Sequence, residues 1–173
     1  MQAMANSTTS FVPSGDNTRL LRDAFGQFTT GVTIVTASSD EGSIAIAANS
    51  FTSVSMDPPI VLWSANTTSR RFKYFGSAEF FSIHVLASNQ DALCWETAKD
   101  MGALRSHNLD ENDEGVPIID GCLARFECQR FALHPAGDHH LVLGRVLRAE
   151  LNRDLEALTF FKGRMSPQTS GAS

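Results

Sequence analysis

The sequence predicts a mainly β protein, an antiparallel Greek-key barrel with peripheral helices. Three observations lead there. Short β-branched or alternating runs are separated by polar turns of hairpin length. One long pair of runs, 121–151, folds back on itself around Pro135-Ala136-Gly137-Asp138. Strand-like and helix-like segments do not alternate regularly, which argues against a parallel βαβ sheet. No Gly-x-Gly-x-x-Gly follows a strand, so a Rossmann dinucleotide site is not expected.

At 173 residues and 42% hydrophobic, the chain suits one domain with a sizeable core. Its net charge of −5, with no basic block, argues against a nucleic-acid partner. No apolar run reaches the roughly 18–20 residues needed to span a bilayer. The start lacks the layout of a signal peptide. Cys94, Cys122 and Cys128 have neither C-x-x-C nor zinc-like spacing, so they read as reduced thiols of a cytoplasmic protein. No metal site is expected. The acidic run Asp110 to Glu114 lacks the placement of a calcium loop and reads as a solvated loop.

Residues 1–17 are polar and aperiodic, an expected disordered segment ahead of a domain over 18–165. Asp16-Asn17-Thr18 can cap a helix whose apolar stripe is Leu20, Leu21, Ala24, Phe25 and Phe28, ended by Gly31. Strands are expected at Val32–Ala37, from Ser43 onward, and at Ile60–Ser64. Asn66-Thr67-Thr68-Ser69 reads as a helix start, with Arg70, Arg71 and Lys73 in its first turns. Cations there oppose the helix dipole unless an anion lies nearby. A strand follows at Glu79–Leu86, with His84 read as a structural histidine, and then a helix from Ser88-Asn89-Gln90 to about Lys99. The 100–116 stretch is a long loop. In the 121–151 hairpin, Cys122, Ala124, Phe126 and Cys128 form one apolar face. Thr159–Lys162 is a last short strand, and 166–173 an expected disordered tail.

The run Ser43 to Pro59 stands out. It opens as a small-residue strand, becomes a dense patch of hydroxyls and an amide, and ends on a double proline. Buried polar groups need partners. From the residues alone this is either a wall for a polar ligand or a Ser/Thr-rich strand end.

Asn49-Ser50-Phe51-Thr52-Ser53-Val54-Ser55 and Asp57-Pro58-Pro59 match, position by position, the signature run of the short-chain flavin reductases, which this chain resembles over roughly Leu20 to Met165. Ala45 stands where that family usually has Gly, and Ala47 where Thr is common. Asn66, Ser69 and Arg70 match its N-x-x-S-R pattern. Gly137-Asp138-His139 with Gly144 and Val146 match a second signature, and Phe160-Phe161-Lys162-Gly163 a third, although Arg164 and Met165 replace that ending's last residues. Glu96-Thr97 stand where the family often has Arg-Phe.

The resemblance implies an FMN-binding split barrel that passes hydride from NADH or NADPH to FMN or FAD. It implies flavin contacts at Ala45, Ala47, Asn49, Ser50, Thr52, Ser53, Val54, Ser55, Ser64, Asn66, Ser69 and Arg70. It places His139, Phe160, Phe161, Lys162 and Gly163 on the nicotinamide side, with His139 as the catalytic candidate. Read alone, His139 is better explained as a turn-closing residue bonded to Asp138. The same resemblance implies a homodimer that supplies reduced flavin to a separate monooxygenase. A flavin-binding electron carrier of the same fold is the alternative. The long hairpin points independently to assembly: Leu141, Leu143 and Leu147 alternate with Val142 and Val146, so the strand is apolar on both faces.

Overall fold

The computed structural model describes residues 8–168. In chain order the elements are α1 (Thr18–Phe25), β1 (Thr30–Gly31), β2 (Thr33–Ser39), β3 (Gly42–Ala48), β4 (Thr52–Met56), β5 (Pro59–Asn66), α2 (Phe72–Phe75), β6 (Phe80–Val85), α3 (Asp91–Lys99), β7 (Ala124–Ala136), β8 (His139–Leu151), β9 (Ala157–Phe161) and β10 (Arg164–Gln168). Seven strands form one sheet in the order β3-β2-β6-β7-β8-β5-β4, and β1-β9-β10 form a small second sheet. Every pairing is antiparallel. The two edge strands of the large sheet, β3 and β4, are joined by only Asn49, Ser50 and Phe51. The sheet therefore has to curl until three residues can span its two edges, which stay unpaired, and the expected antiparallel barrel results.

The interior is filled by one side of the strands: Val35, Ile44, Trp63, Phe81, Ile83, Cys128 and Val142, with Phe75 of α2. Trp63 meets Phe75 and Phe81 edge-on, at 5.3 and 6.2 Å. Each of these fully buried large side chains stabilises by about 1.5–3 kcal/mol. At Gly144 an added Cβ would lie 2.6 Å from the Phe81 ring and 2.9 Å from Cys128 Cβ, so only glycine lets β8 approach there.

The outer face is treated unevenly. Around β2 and β3 it is covered by the chain itself: Ile34 and Ala45 pack with Cys94, Leu104, Ile119 and Leu158. Around β5 and β8 it is not. Register places Thr52, Leu62, Leu143 and Ala132 in one row across four strands. Met56 is 89% exposed, and Val54 and Phe131 are more than half exposed.

Several elements depart from expectation. Helix α1 ends at Phe25, and nothing in it is buried. Phe25 and Phe28 are 68% and 77% exposed, so the stripe faces away from this chain's core. The 66–71 segment is not a helix start. Asn66 ends β5, its Oδ1 accepting from Thr68 N–H and Oγ1, and only Phe72–Phe75 turn helically. The run that opens at Ser43 is two strands, Gly42–Ala48 and Thr52–Met56, with a three-residue link between them. Of the segment expected to be disordered at the start, residues 1–7 lie outside the described residues and Gly15–Asn17 make a short 3-10 turn. At the other end β10 runs on to Gln168, and 169–173 lie outside the described residues. The acidic loop is clamped, not merely solvated: Glu114 and Asp113 pair with Arg148, which also binds Glu127 at 2.7 Å. Burial alone would raise the Glu127 carboxyl. Hydrogen bonds from Arg148 and Asn112, with the charges of Arg148 and Arg125, more than offset it and hold that carboxyl below its usual value.

His84 does the structural work expected of it. It is fully buried, with Nδ1 3.2 Å from the Ile34 carbonyl, while Nε2 accepts from Ile119 N–H at 3.1 Å. One ring thus ties β6 to β2 and to the 117–122 segment, and the bond accepted at Nε2 requires the neutral imidazole. Burial lowers its pKa from 6.5 to about 4. Between those values the unfolded chain binds the proton and the folded chain does not, so stability is full above about pH 6.5 and falls as pH drops toward 4. The loss should approach about 3 kcal/mol by pH 4. Urea unfolding at pH 7 and at pH 4.5 should show it, and His84→Gln should flatten the slope.

Candidate active site

The signature run forms the seam of the barrel. Ser50 Oγ accepts from Ser64 N–H at 3.0 Å, which pins the β3–β4 link to β5. Phe51 drops into the barrel and stacks on Phe126, with ring centroids 5.5 Å apart. Those two anchors leave Asn49 exposed between them. Strand β4 has one ladder, to β5, so the backbone groups on its other side are available to a ligand. Thr52 and Ser53 are exposed along it, Val54 is half exposed, and Ser55 is half buried after a register shift.

Asn49 lines three recesses at the seam, two of which border the β9–β10 hairpin. One is an apolar slot of about 250 Å³ whose floor includes Ala47, Ala48 and Asn49 of β3 and its link. Its walls are Cys94, Trp95 and Ala98 of α3 and Phe160, Gly163 and Met165 of the β9–β10 hairpin. The other is a cleft of about 660 Å³ between α1 and that hairpin, lined by Arg22, Phe25, Phe28, Phe160, Lys162 and Gly163. Lys162 has φ of 49° and Gly163 of 78°, as a tight turn requires. Lys162 N–H donates to the Gly26 carbonyl at 2.9 Å, which hangs the end of α1 on this turn. Ala45 differs from its neighbours: it is fully buried, its N–H donating to Met101 O at 3.0 Å, so its small side chain serves packing in this chain.

Another recess, about 240 Å³ and away from Asn49, is cationic. Ser69, Arg70 and Arg71 form one side, and Lys99, Asp100 and Met101 the other. Arg71 donates to the Thr97 and Ala98 carbonyls at 2.8 and 3.1 Å, capping the end of α3. Burial lowers its guanidinium pKa from the usual value, and the Asp100 charge opposes that shift. Ser69 Oγ accepts from Arg71 N–H at 3.2 Å. Slot and recess are neighbours, because Ala98 lines one and Lys99 the other. A flat apolar ring with an anionic tail fits that pair.

His139 lies elsewhere along the seam. It pairs with Asn66 across β5 and β8, and its Nδ1 is 2.8 Å from Asp138 Oδ1. That hydrogen bond lowers the Asp138 pKa. Thr67 holds the same turn through two bonds to the Asp138 carbonyl. His140 turns the other way and packs on Phe72, 4.9 Å between ring centroids. Within one chain the structure therefore brings Asn49 together with Phe160, Lys162 and Gly163, and His139 together with Asn66. It does not bring those two groups onto one wall. Phe161 is 41% exposed, with Lys162 Nζ 5.1 Å above its ring.

Arg22, Trp95, Lys99 and Met165 line these recesses and are not among the residues the sequence suggested. Trp95, Ala98 and Lys99 sit three and four apart on α3 and so share a face. Cys94 and Thr97, which are buried, mark the face that packs.

A flavin reductase-like domain model matches residues 25–169. The chain belongs to the flavin reductase-like family. It is 51% identical over 153 residues to the FMN reductase (NADH) SmoA of Agrobacterium fabrum, covering 88% of this chain and 87% of that one. It is 33% identical to HsaB, the reductase subunit of a flavin-dependent monooxygenase of Rhodococcus jostii, over 84% of this chain and 75% of the relative. Among solved structures, the NADH:FAD oxidoreductase SgcE6 of Streptomyces globisporus superposes with a TM-score of 0.85 at 31% identity, covering 95% of this chain and all of that one.

Flavin affinity should depend on the seam and on the cationic recess. Asn49→Ala and Arg70→Ala should each weaken flavin binding by roughly 1–3 kcal/mol, the loss of one buried or charge-assisted hydrogen bond. Titration by flavin fluorescence quenching measures both. Unchanged affinity in both variants would place the ring edge and phosphate elsewhere.

Proposed function

We propose that this chain is an NADH-dependent flavin reductase that reduces FMN or FAD for a separate flavin-dependent monooxygenase. The observation that carries the reading is the adjacency, along α3 and β3, of a small-floored apolar slot and a cationic recess. When bound, flavin accepts hydride at N5 from the reduced nicotinamide C4, and its ring carries the resulting negative charge toward N1 and the C2 carbonyl.

The protein's part is placement. Ala47 and Ala48 leave room for a ring to lie flat, and Asn49 offers an amide at its edge. The unladdered side of β4 offers backbone N–H donors where charge develops, and fixed dipoles need no reorganisation there. Ser69, Arg70 and Lys99 hold the phosphate. The Phe160–Gly163 turn and Lys162 border the face left open to the nicotinamide, where holding two rings at contact distance supplies most of the acceleration. His139, held by Asp138, does not share a wall with the Phe160–Gly163 turn within one chain, so its role at the nicotinamide requires the second copy of the dimer proposed below. The Asn66–Ser69 loop lies beside it, so a ligand reaching along that loop comes within reach of the imidazole. A reduced, cytoplasmic setting suits the three free, buried cysteines; burial raises their thiols, to about 11 for Cys94 and Cys122 and about 12 for Cys128.

Mixing purified protein with NADH and FMN or FAD should consume the NADH catalytically. Flavin binding without NADH turnover would favour an electron carrier of the same fold. In stopped-flow reduction His139→Ala should slow hydride transfer or raise the KM for NADH, with flavin affinity nearly constant. A variant that melts earlier with intact kinetics would leave His139 a turn-closing residue.

The functional unit we propose is a homodimer. The uncovered row at Leu62 and Leu143, with exposed Val54, Met56 and Phe131, gives a sheet apolar on both faces, which needs a second surface. A two-fold axis is the commonest way for such a face to cover itself. Light scattering after gel filtration should give twice the 18.8 kDa chain mass. A fully active monomer would overturn the assignment.

A further inference from the structure

Trp95 has no role in the family signatures, yet its position is unusual. It stands on α3 between two buried residues of the helix, Cys94 and Thr97, and is itself 48% exposed. A half-exposed indole is an unfavourable way to spend apolar area unless a partner covers it. Its surroundings are those of a ring site: Ala47, Ala98, Phe160 and Met165 line the same slot, and Asn49 is its one polar side chain. One turn further along the helix, Lys99 lines the cationic recess.

Resting on the flavin-reductase reading, we infer that Trp95 is the aromatic wall of the flavin site, packing against the apolar dimethylbenzene end of the isoalloxazine. The slot is apolar where that end of the ring is apolar. Asn49 stands at the slot's edge, where the polar pyrimidine end begins. Lys99 lies on the tail side, so a single helix face grips ring and phosphate together. Trp95 is thus a positioning residue. It touches no atom that reacts, and its contribution is ring affinity and the angle at which the ring is held.

The contact is with the ring alone, which makes the test specific. Riboflavin, FMN and FAD share the ring and differ in the tail. Titrated by flavin fluorescence quenching, Trp95→Ala should weaken all three by the same factor, roughly tenfold, as expected for loss of one stacked aromatic contact. Trp95→Phe should recover most of that loss. The flavin KM should rise by a larger factor than kcat falls, and thermal unfolding should move little because the indole is half exposed. Equal affinity of the wild type and Trp95→Ala would overturn the assignment. So would a loss confined to FMN and FAD, which would mark a tail effect, or a change of mass on gel filtration, which would make Trp95 an interface residue. A wild type that binds no flavin would instead overturn the flavin-reductase reading itself.

Discussion

Everything in this fold depends on joining the two edges of one sheet with three residues. Strands β3 and β4 are the edges, and Asn49-Ser50-Phe51 is the whole connection. So short a link holds only if it is fixed at both ends, and it is: Ser50 is bonded to the β5 backbone and Phe51 is stacked inside the barrel. The constraint has two results. It closes the core around Trp63, and it places a stretch of backbone without a ladder next to an amide that faces outward. Binding capacity is here a by-product of closure. The seam is where a sheet has donors to spare.

The signature run is therefore better understood as a closure device than as a string of ligand contacts. Of its residues, Ser50 and Phe51 serve the barrel, while Asn49 and the outer edge of β4 have no part in closing it. Ala45 shows the same division inside β3. It packs against protein two residues before Ala47 opens onto the slot.

Fold class was legible because it lies in short-range signals. Turn chemistry at 38–42 and 137–138, strand periodicity in 43–48 and 139–147, and a β-branched 32–37 each fix a local piece. Only an antiparallel arrangement joins them with such short connections. His84 was legible too, since an isolated histidine in a buried strand must satisfy both nitrogens. What could not be read was long-range. Arg71 looked like a helix-start cation, but its guanidinium is engaged by carbonyls 26 and 27 residues away in sequence. Arg148 gave no hint that it would clamp the acidic loop to β8. Trp95 and Lys99 could be placed on one helix face by spacing, yet nothing local said which face met a cleft. The apolar stripe of α1 was read correctly as a stripe; the unforeseen fact is that its own chain does not cover it.

That last feature has a thermodynamic consequence. Eight residues are too few for a helix to persist on intrinsic propensity in water. Helix α1 buries no residue in this chain, and the Lys162–Gly26 backbone bond ties its end to the barrel. So short a helix gains order from any surface that covers Phe25 and its neighbours. Arg22 and Phe25 also form one wall of the cleft that Asn49 and Lys162 share. Completion of that wall is then linked, through the helix, to mass action. Were the second copy of the proposed homodimer to supply that cover, dilution would loosen the cleft before it touches the barrel, and any molecule that seats in the cleft would in turn favour the covered form of the helix.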